Sequence, residues 1–343
     1  MKALVLKEYK KFSYEDVPEP QVGPDDVLIR VKACGICGSD IHGIDGSTGR
    51  RIPPIIMGHE AAGVIERLGA NVTEWKVGER VTFDSTIVLR QDFYSQKGVF
   101  NLSDHRRVLG VSCDEYRQHG AFAEYVAVPQ SILYHLHDDM SFERAAMIEP
   151  VSVAFHAVNL IPSEINDSAL VVGCGIIGLF VVQALRIKGC GKIIAVDLDQ
   201  SRLDMAKKFG ADHVIKANEP DIVEQIRKLT HGRGTDMAIE VVGIEPTINL
   251  AINGVRKGGK ISLVGNFAET VGIPLRVIVT RQLTIIGSCA SAGEYPACID
   301  MIASGRVKVD EMMSAVIPLT EAPSWFERLY KGEPGLMKVI VTP

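Results

Sequence analysis

Two stretches of the sequence hold residues whose types and spacing could do chemistry. In the first, Cys37, Ser39, Asp40 and His42 stand close together, and Gly58-His59-Glu60 follows after a short interval. A thiol, an imidazole and carboxylates from separated segments suit a catalytic zinc, which takes about three protein ligands and keeps one position open. Cys34-Gly35-Ile36-Cys37 by itself would also fit a redox pair or half a zinc finger. However, it lies in a β-rich stretch rather than at the start of a thioredoxin-type helix, and no second C-x-x-C exists to complete a structural site. Cys34 reads as a small buried residue, Asp40 as a structural hydrogen-bonder and His156 as a core histidine.

The second stretch is Gly173-Cys174-Gly175-Ile176-Ile177-Gly178, a G-x-G-x-x-G run. The pattern alone is weak, but here an apolar strand run precedes it, a helix-like run follows, and Asp197 closes the next strand. In that setting Gly173 permits the tight turn, Gly175 lets a pyrophosphate approach the backbone, and Gly178 lets helix and strand pack closely. The free N–H groups of Ile176 and Ile177 at the helix start then face the anion. Asp197 can accept from an adenosine ribose and would repel a 2′-phosphate, which favours NAD over NADP. Arg202 could accommodate that phosphate, but beside an acid it reads better as lying against the adenine or as a solvated helix residue. Val242, Val264, Gly265 and Ser288, around the ends of the later strands, complete the expected cofactor-binding set.

These residues need elements to hold them. Before residue 150 the chain reads as short strands (Lys2 to Leu6, Asp26 to Ala33, Gly63 to Leu68, Glu79 to Phe83, Phe122 to Val128) separated by turn signals such as Gly23-Pro24 and Pro53-Pro54. That rhythm suggests a compact β-barrel or sandwich. From about residue 165, strands alternate with helices: Ala169 to Val172, Lys192 to Val196, His213 to Ile215, Met237 to Val242, Lys260 to Val264 and Leu283 to Gly287. The intervening helices are expected at Ile177 to Gly189, Ser201 to Phe209 (with Ser201 as the N-cap), Asp221 to Leu229 and Pro246 to Val255. Such βαβ units imply a parallel sheet covered on both faces. The tail adds helices at Tyr295 to Ala303 and Glu321 to Tyr330 and a last strand, Lys338 to Val341.

Composition narrows the function classes. The 343 residues are 46% hydrophobic and 23% charged, which is globular in character and long enough for two domains. With 37 Lys and Arg against 42 Asp and Glu, the formal charge is −5, and no basic face for a nucleic acid is visible. The apolar run Ala169 to Val182 is too short for a comfortable membrane span and is interrupted by glycines. No signal peptide is visible at the start. Seven widely spaced cysteines do not form a disulfide framework and point to a reducing cytoplasm.

Gly58-His59-Glu60-Ala61-Ala62-Gly63, with Gly69 and Val72 beyond it, resembles the signature of zinc-dependent medium-chain alcohol dehydrogenases. Cys37-Gly38-Ser39-Asp40-Ile41-His42 resembles their zinc-and-relay segment, and Ile148-Glu149-Pro150 resembles the sorbitol and polyol branch. The resemblance runs from end to end. It implies a GroES-like β-barrel catalytic domain over residues 1–153 and 290–343 and a Rossmann NAD-binding domain over 154–289. It makes Cys37 the thiolate ligand and His59 the imidazole ligand of one zinc, with Glu60 and Glu149 as further ligand candidates. Glu149 stands where many relatives have a second cysteine, and a hydrogen bond to a zinc-bound water is the alternative role for it. Ser39 takes the place of the hydroxyl that touches the substrate oxygen, and His42 that of the group passing its proton to solvent.

Two departures qualify the resemblance. Most relatives hold a structural zinc with four cysteines, and the corresponding positions here are Leu89, Asp92, Ser95 and Ser103. Hydroxyls and leucine are unsuitable ligands, so one zinc per subunit is expected, with the lobe held by Phe93, Tyr94 and Phe100 or by another subunit. The polyol branch often carries a Phe-Arg-Tyr run after the last Rossmann strand, where this chain has Ser288-Cys289-Ala290-Ser291. The expected substrate is therefore a polyol-type secondary alcohol, with L-threonine, sugar acids and phosphorylated polyols as alternatives. A non-catalytic NAD-binding protein is the rival from a different class, and a zinc-free quinone reductase a third. The family habit implies a homodimer or homotetramer, with sheet edges meeting near Leu283 to Ser288.

Overall fold

The computed structural model describes residues 1–343. Its organising element is the strand Asp26–Gly35, whose Val, Leu, Ile and Ala side chains are all buried. Such residues favour a pleated surface packed on both sides. The strand pairs antiparallel with Glu60–Leu68, Tyr125–Pro129 and Lys338–Thr342. Arg80–Phe83 and Leu133–His135 extend the sheet on one side, and Met313–Pro318 lies parallel to Lys338–Thr342 on the other, giving seven strands. The last strand of the chain thus returns to the sheet built by its beginning. Phe83, Phe122 and Phe326 are fully buried, and Phe122 meets Phe326 edge to face at 5.8 Å.

The chain divides into two units, Met1–Glu149 with Tyr295–Pro343, and Pro150–Glu294. The second holds six parallel strands in the order His213–Lys216, Lys192–Asp197, Ser168–Val172, Thr235–Glu240, Val255–Leu263, Thr284–Gly287. The order reverses beside Ser168–Val172, and that reversal opens a crevice at the carboxyl ends of the strands. The sheet is faced by the helices Ile176–Ile187, Gln200–Lys208, Ile222–Leu229, Glu245–Gly254 and Leu275–Thr280. No helix in the chain is long and apolar enough to cross a membrane.

The structure corrects the expected N-cap at Ser201 and adds two elements, Leu275–Thr280 and Lys11–Asp16, for which the sequence gives no expectation. The helix after Asp197 is capped by Asp199, whose carboxylate accepts from Ser201 N and Arg202 N; Ser201 is already inside the helix. The Asp199 carboxylate, two residues before Ser201, accepts from the first free N–H groups of the helix and so takes the capping position. Leu275–Thr280 is a helix although its β-branched run favours a strand. Lys11–Asp16, whose side chains are mostly polar, is a strand that its composition conceals.

The lobe after Asp84 is held differently from the aromatic packing expected. Phe93 is 64% exposed and meets Tyr94 edge to face at 5.4 Å, so it buries little. The organiser is Asp92. Its Oδ1 accepts from Tyr94 N at 3.1 Å and Ser95 N at 2.8 Å. Its Oδ2 accepts from Ser103 Oγ at 2.7 Å and Asp104 N at 2.8 Å. Three of the four positions where relatives have cysteines are thereby tied together by hydrogen bonds. The backbone N–H of Ser95 and the Ser103 hydroxyl hold the Asp92 carboxyl well below the usual carboxylate range. A carboxyl depressed on folding stabilises the fold above its unfolded value, about 4, and the contribution is lost as pH falls through the lower folded value. Asp92→Ala should therefore lower the amide protection factors of Tyr94, Ser95 and Asp104 at neutral pH, and acidification should lower the same factors in the unmodified chain once each is corrected for the slower intrinsic exchange in acid. Hydrogen-exchange mass spectrometry of residues 89–108 reads both, and unchanged exchange in Asp92→Ala would remove the carboxylate from this role.

Candidate functional site

The metal cluster is built by strand register. Gly35 pairs with Glu60, and Ile340 pairs with Gly35 from the other side. Cys37, just past the end of Asp26–Gly35, is the residue before the short helix Gly38–Gly43. Gly58 has φ +95°, and a Cβ there would stand 2.8 Å from Cys34 Sγ and 2.9 Å from Phe122 N. That left-handed turn, open mainly to glycine, precedes the start of Glu60–Leu68. His59 lies ahead of the first strand residue, Glu60, so the alternation that sends neighbouring strand residues to opposite faces does not apply between the two. The ligand atoms of Cys37, His59 and Glu60 all lie within 4.8 Å of one another. One sulfur, one imidazole nitrogen and one carboxylate oxygen at that spacing fit the donor set of a zinc ion.

Glu149, in the first turn of Ile148–Asn159, is not part of that three-residue cluster but is electrostatically joined to it. Although Glu149 keeps some exposure, burial of its carboxyl pushes it up to about 8, opposed by His59 and reinforced by Glu60 and Cys37. Burial likewise pushes the Cys37 thiol up to about 12, with Glu60 acting in the same direction. Crowded acids that hold their protons are the groups a divalent cation would deprotonate on binding.

Three charged residues steady this cluster, and two of them gave no sequence signal. Asp40, fully buried, accepts from the Arg51 guanidinium at 2.9 and 3.2 Å and from Cys37 N at 3.3 Å. Its Oδ1 also lies 3.6 Å from His59 Nδ1, where a carboxylate can orient a ligating imidazole. Arg51, 3% exposed, donates from Nη2 to Ser39 Oγ at 3.2 Å. Lys338, 2% exposed, gives its ammonium to both oxygens of Glu60, at 2.6 and 2.9 Å, and to Ile36 O at 3.0 Å. Ser39 and His42 are exposed at this end of the unit. Nothing in the spacing of Arg51 or Lys338 distinguishes them from solvated bases; only the fold buries them.

The dinucleotide-type turn lies in the second unit at the strand-order reversal. Gly173 has φ +95°, and a Cβ on Gly178 would stand 1.9 Å from Gly173 O, so both positions exclude a side chain. Gly175 has open space around it, and the helix Ile176–Ile187 begins immediately after it. Asp197 ends its strand and accepts from Cys174 N at 2.6 Å and Asp199 N at 2.8 Å, which fixes its carboxylate against the turn. Arg202 lies in the first turn of Gln200–Lys208. Val242 and Gly265 lie just beyond the ends of adjacent strands: a Cβ on Gly265 would stand 2.2 Å from Val242 C. Val264 N donates to Glu240 O at 2.8 Å, and Ser288 N to Leu263 O at 2.8 Å. The Ser288 hydroxyl is out of solvent with no protein partner, a group available to a ligand at this rim. Glu240, missed in the sequence, is buried and accepts from Val242 N and Gly243 N, at 2.9 and 2.8 Å, shaping the loop.

A β unit carrying a Cys-His-Glu cluster and a parallel sheet carrying a glycine turn define a zinc-type, dinucleotide-binding dehydrogenase architecture. Residues 23–138 match the model of the alcohol dehydrogenase GroES-like domain, and residues 177–304 match that of the zinc-binding dehydrogenases. Sorbitol dehydrogenase of Bacillus subtilis is 34% identical, over 100% of this chain and 97% of that protein. D-arabitol-phosphate dehydrogenase of Enterococcus avium is 33% identical, over 94% of this chain and 92% of its own length. The crystal structure of 2R,3R-butanediol dehydrogenase from Bacillus subtilis superposes with a TM-score of 0.89 at 31% identity, covering 100% of this chain and 99% of that one. This chain belongs to the zinc-binding medium-chain dehydrogenase/reductase family, with a GroES-like first unit and a Rossmann-like NAD-binding sheet.

Breaking the Glu60–Lys338 pair from one side leaves a buried carboxylate uncompensated, which costs about 3–5 kcal/mol. Lys338→Met should therefore lower the stability of the metal-free chain by that amount in urea denaturation, and Lys338→Arg should restore much of it. A loss below about 1 kcal/mol would show that Glu60 is neutralised in some other way.

Proposed function

We propose that this chain is a zinc-dependent, NAD-linked dehydrogenase that converts a polyol-type secondary alcohol to a ketone. The observation that carries the reading is the meeting of the Cys37, His59 and Glu60 ligand atoms beside Ser39. The presence of a glycine turn and Asp197 in the same chain supports it. Cys37 and His59 would hold the zinc, with Glu60 and Glu149 supplying carboxylate oxygen. When bound, zinc supplies a Lewis acid for the alcohol oxygen and NAD supplies the hydride acceptor.

The protein's own part is orientation and proton movement. The Arg51 guanidinium donates to Ser39 Oγ, so one lone pair of that oxygen is already used and the hydroxyl is turned by a fixed partner. Ser39 would take the alcohol proton on its remaining lone pair and release its own toward His42, which is exposed and can pass it to water. Lys338 would hold the Glu60 carboxyl group in place through both of its oxygens. In the second unit Gly173, Gly175, Gly178 and the N–H groups of Ile176 and Ile177 would hold the pyrophosphate, with Asp197 on the ribose and Arg202 against the adenine. Val242, Val264, Gly265 and Ser288 would line the nicotinamide side. The relatives named for sorbitol and arabitol phosphate support a polyhydroxy substrate. All seven cysteines are free, which suits a reducing cytoplasm.

The reading is tested by following reduced-cofactor formation with NAD and, in parallel, NADP. The panel covers polyols, phosphorylated polyols, sugar acids, L-threonine and simple secondary alcohols, with and without a zinc chelator. Chelator-sensitive turnover of a polyol, faster with NAD, is the expected result. No turnover from a zinc-loaded chain would exclude this substrate class, and no zinc uptake would leave a dinucleotide-binding protein without this chemistry.

The subunit is proposed to form a homodimer or homotetramer through the sheet edge at Thr284–Gly287. That strand pairs on one side only, with Val255–Leu263, and the neighbouring helix Leu275–Thr280 exposes Leu275 at 66% and Val279 at 68%. An unpaired strand beside exposed apolar side chains is a ready site for pairing with a second copy. Light scattering coupled to size exclusion should return a mass of two or four chains, and Ile286→Pro should shift it toward one; a monomer in the unmodified chain would remove this edge as an interface.

A further inference from the structure

Between the lobe around Asp92 and the segment before Arg51 lies a cavity of 460 Å³ that the dehydrogenase reading does not use. It is lined by four arginines (Arg50, Arg90, Arg106 and Arg107) against two carboxylates, Asp104 and Glu115, an excess of two positive charges. Its volume falls in the range of small-molecule sites, about 300–1,000 Å³. We infer that this cavity is an anion site that takes a phosphate group, as inorganic phosphate or as the phosphate ester of a small molecule.

The arginines arrive on three stretches of backbone, with Arg106 and Arg107 on the same strand. The carbonyl of Arg50 accepts from Arg51 Nη1 at 2.9 Å and from Ser112 N at 3.2 Å. Arg107 sits in the strand Arg106–Val108, which pairs with Thr86–Val88, and its guanidinium lies 5.6 Å from the centre of the Tyr116 ring. Leu89 N, beside Arg90, donates to His105 O at 3.2 Å. Arg106 is turned to the carbonyl of Asn101. Glu115 is engaged by the Cys113 thiol and its own backbone and feels Arg50 only through space. Arg50, Arg90 and Arg107 take no part in the ion pairs that engage the other arginines of the fold. The guanidinium groups of Arg50, Arg90 and Arg107, gathered around one cavity, repel one another, and a phosphate dianion relieves that repulsion while accepting paired N–H donors.

The position of Arg50 gives the site a direct chemical setting. Its neighbour Arg51 contacts Ser39 Oγ, so consecutive residues serve the cavity and the proposed proton path. An ester held at Arg50 would be a phosphorylated polyol. That use as a substrate subsite rests on the dehydrogenase reading, whereas phosphate binding itself does not.

The test separates the two. Inorganic phosphate is titrated into the zinc-loaded full chain and followed by calorimetry and by ³¹P line broadening, with no turnover involved. Saturable binding is expected, weakened at least about tenfold in Arg50→Gln/Arg107→Gln and unchanged in Lys76→Gln, a surface charge removed elsewhere. Circular dichroism melting checks that the double variant is folded, and Arg50→Lys, which keeps the charge, should lose less affinity than Arg50→Gln. In parallel, kcat/KM is compared for a polyol and its phosphate ester. A selective loss for the ester in the double variant identifies a substrate subsite. Loss of phosphate binding with both kcat/KM values unchanged identifies a site for free phosphate. Absence of saturable phosphate binding, or binding equally strong in the folded double variant, overturns the inference.

Discussion

The pairing of Glu60 with Gly35 is the constraint on which the first unit's chemistry depends. It fixes the start of Glu60–Leu68 against the end of Asp26–Gly35, and so sets His59 and Glu60 beside Cys37. A Cβ at residue 35 would stand 2.2 Å from Glu60 Oε2, so a side chain there would push that carboxylate out of its place. The pairing also brings a carboxylate into a place with almost no solvent, a placement that is costly unless a partner is present. Lys338 is that partner, and the last strand carries it. The C-terminal segment is therefore a structural condition of the cluster as well as an edge of the sheet.

Carboxylates organise each part of this molecule, and their partners decide what each does. Glu60 is paired with an ammonium, and Asp40 joins Arg51, Cys37 N and the His59 ring into one network. Asp92 collects backbone N–H groups and a hydroxyl where relatives use a metal. Asp197 and Glu240 do the same for the loops at the carboxyl ends of the parallel strands. A charged acceptor with several donors makes stronger hydrogen bonds than a neutral one, so a single acid can hold a loop that has little apolar surface to bury.

Much of the architecture was legible because it follows from local rules. Alternation of apolar strands and helices after residue 165 announced the parallel sheet, and the glycines at 173 and 178 occupy positions that admit no Cβ. The cluster of Cys37, His59 and Glu60 was legible from residue type. Less legible was Leu275–Thr280, because its β-branched residues favour the wrong element. The cap at Asp199 was missed because two neighbouring polar residues offered the same chemistry.

The sequence by itself determined the donor types, the glycine turn and the two classes of domain, since these depend on side-chain chemistry and short-range periodicity. Only the tertiary structure decided which charges are buried and with whom. Arg51 and Lys338 read along the chain as ordinary surface bases, and in the fold they lie under the cluster, matched to Asp40 and Glu60. Arg50, the residue next to Arg51, faces a cavity with Arg90 and Arg107. Long-range strand pairing makes that distinction: Lys338 and Glu60 are 278 residues apart in the chain and 2.6 Å apart in space.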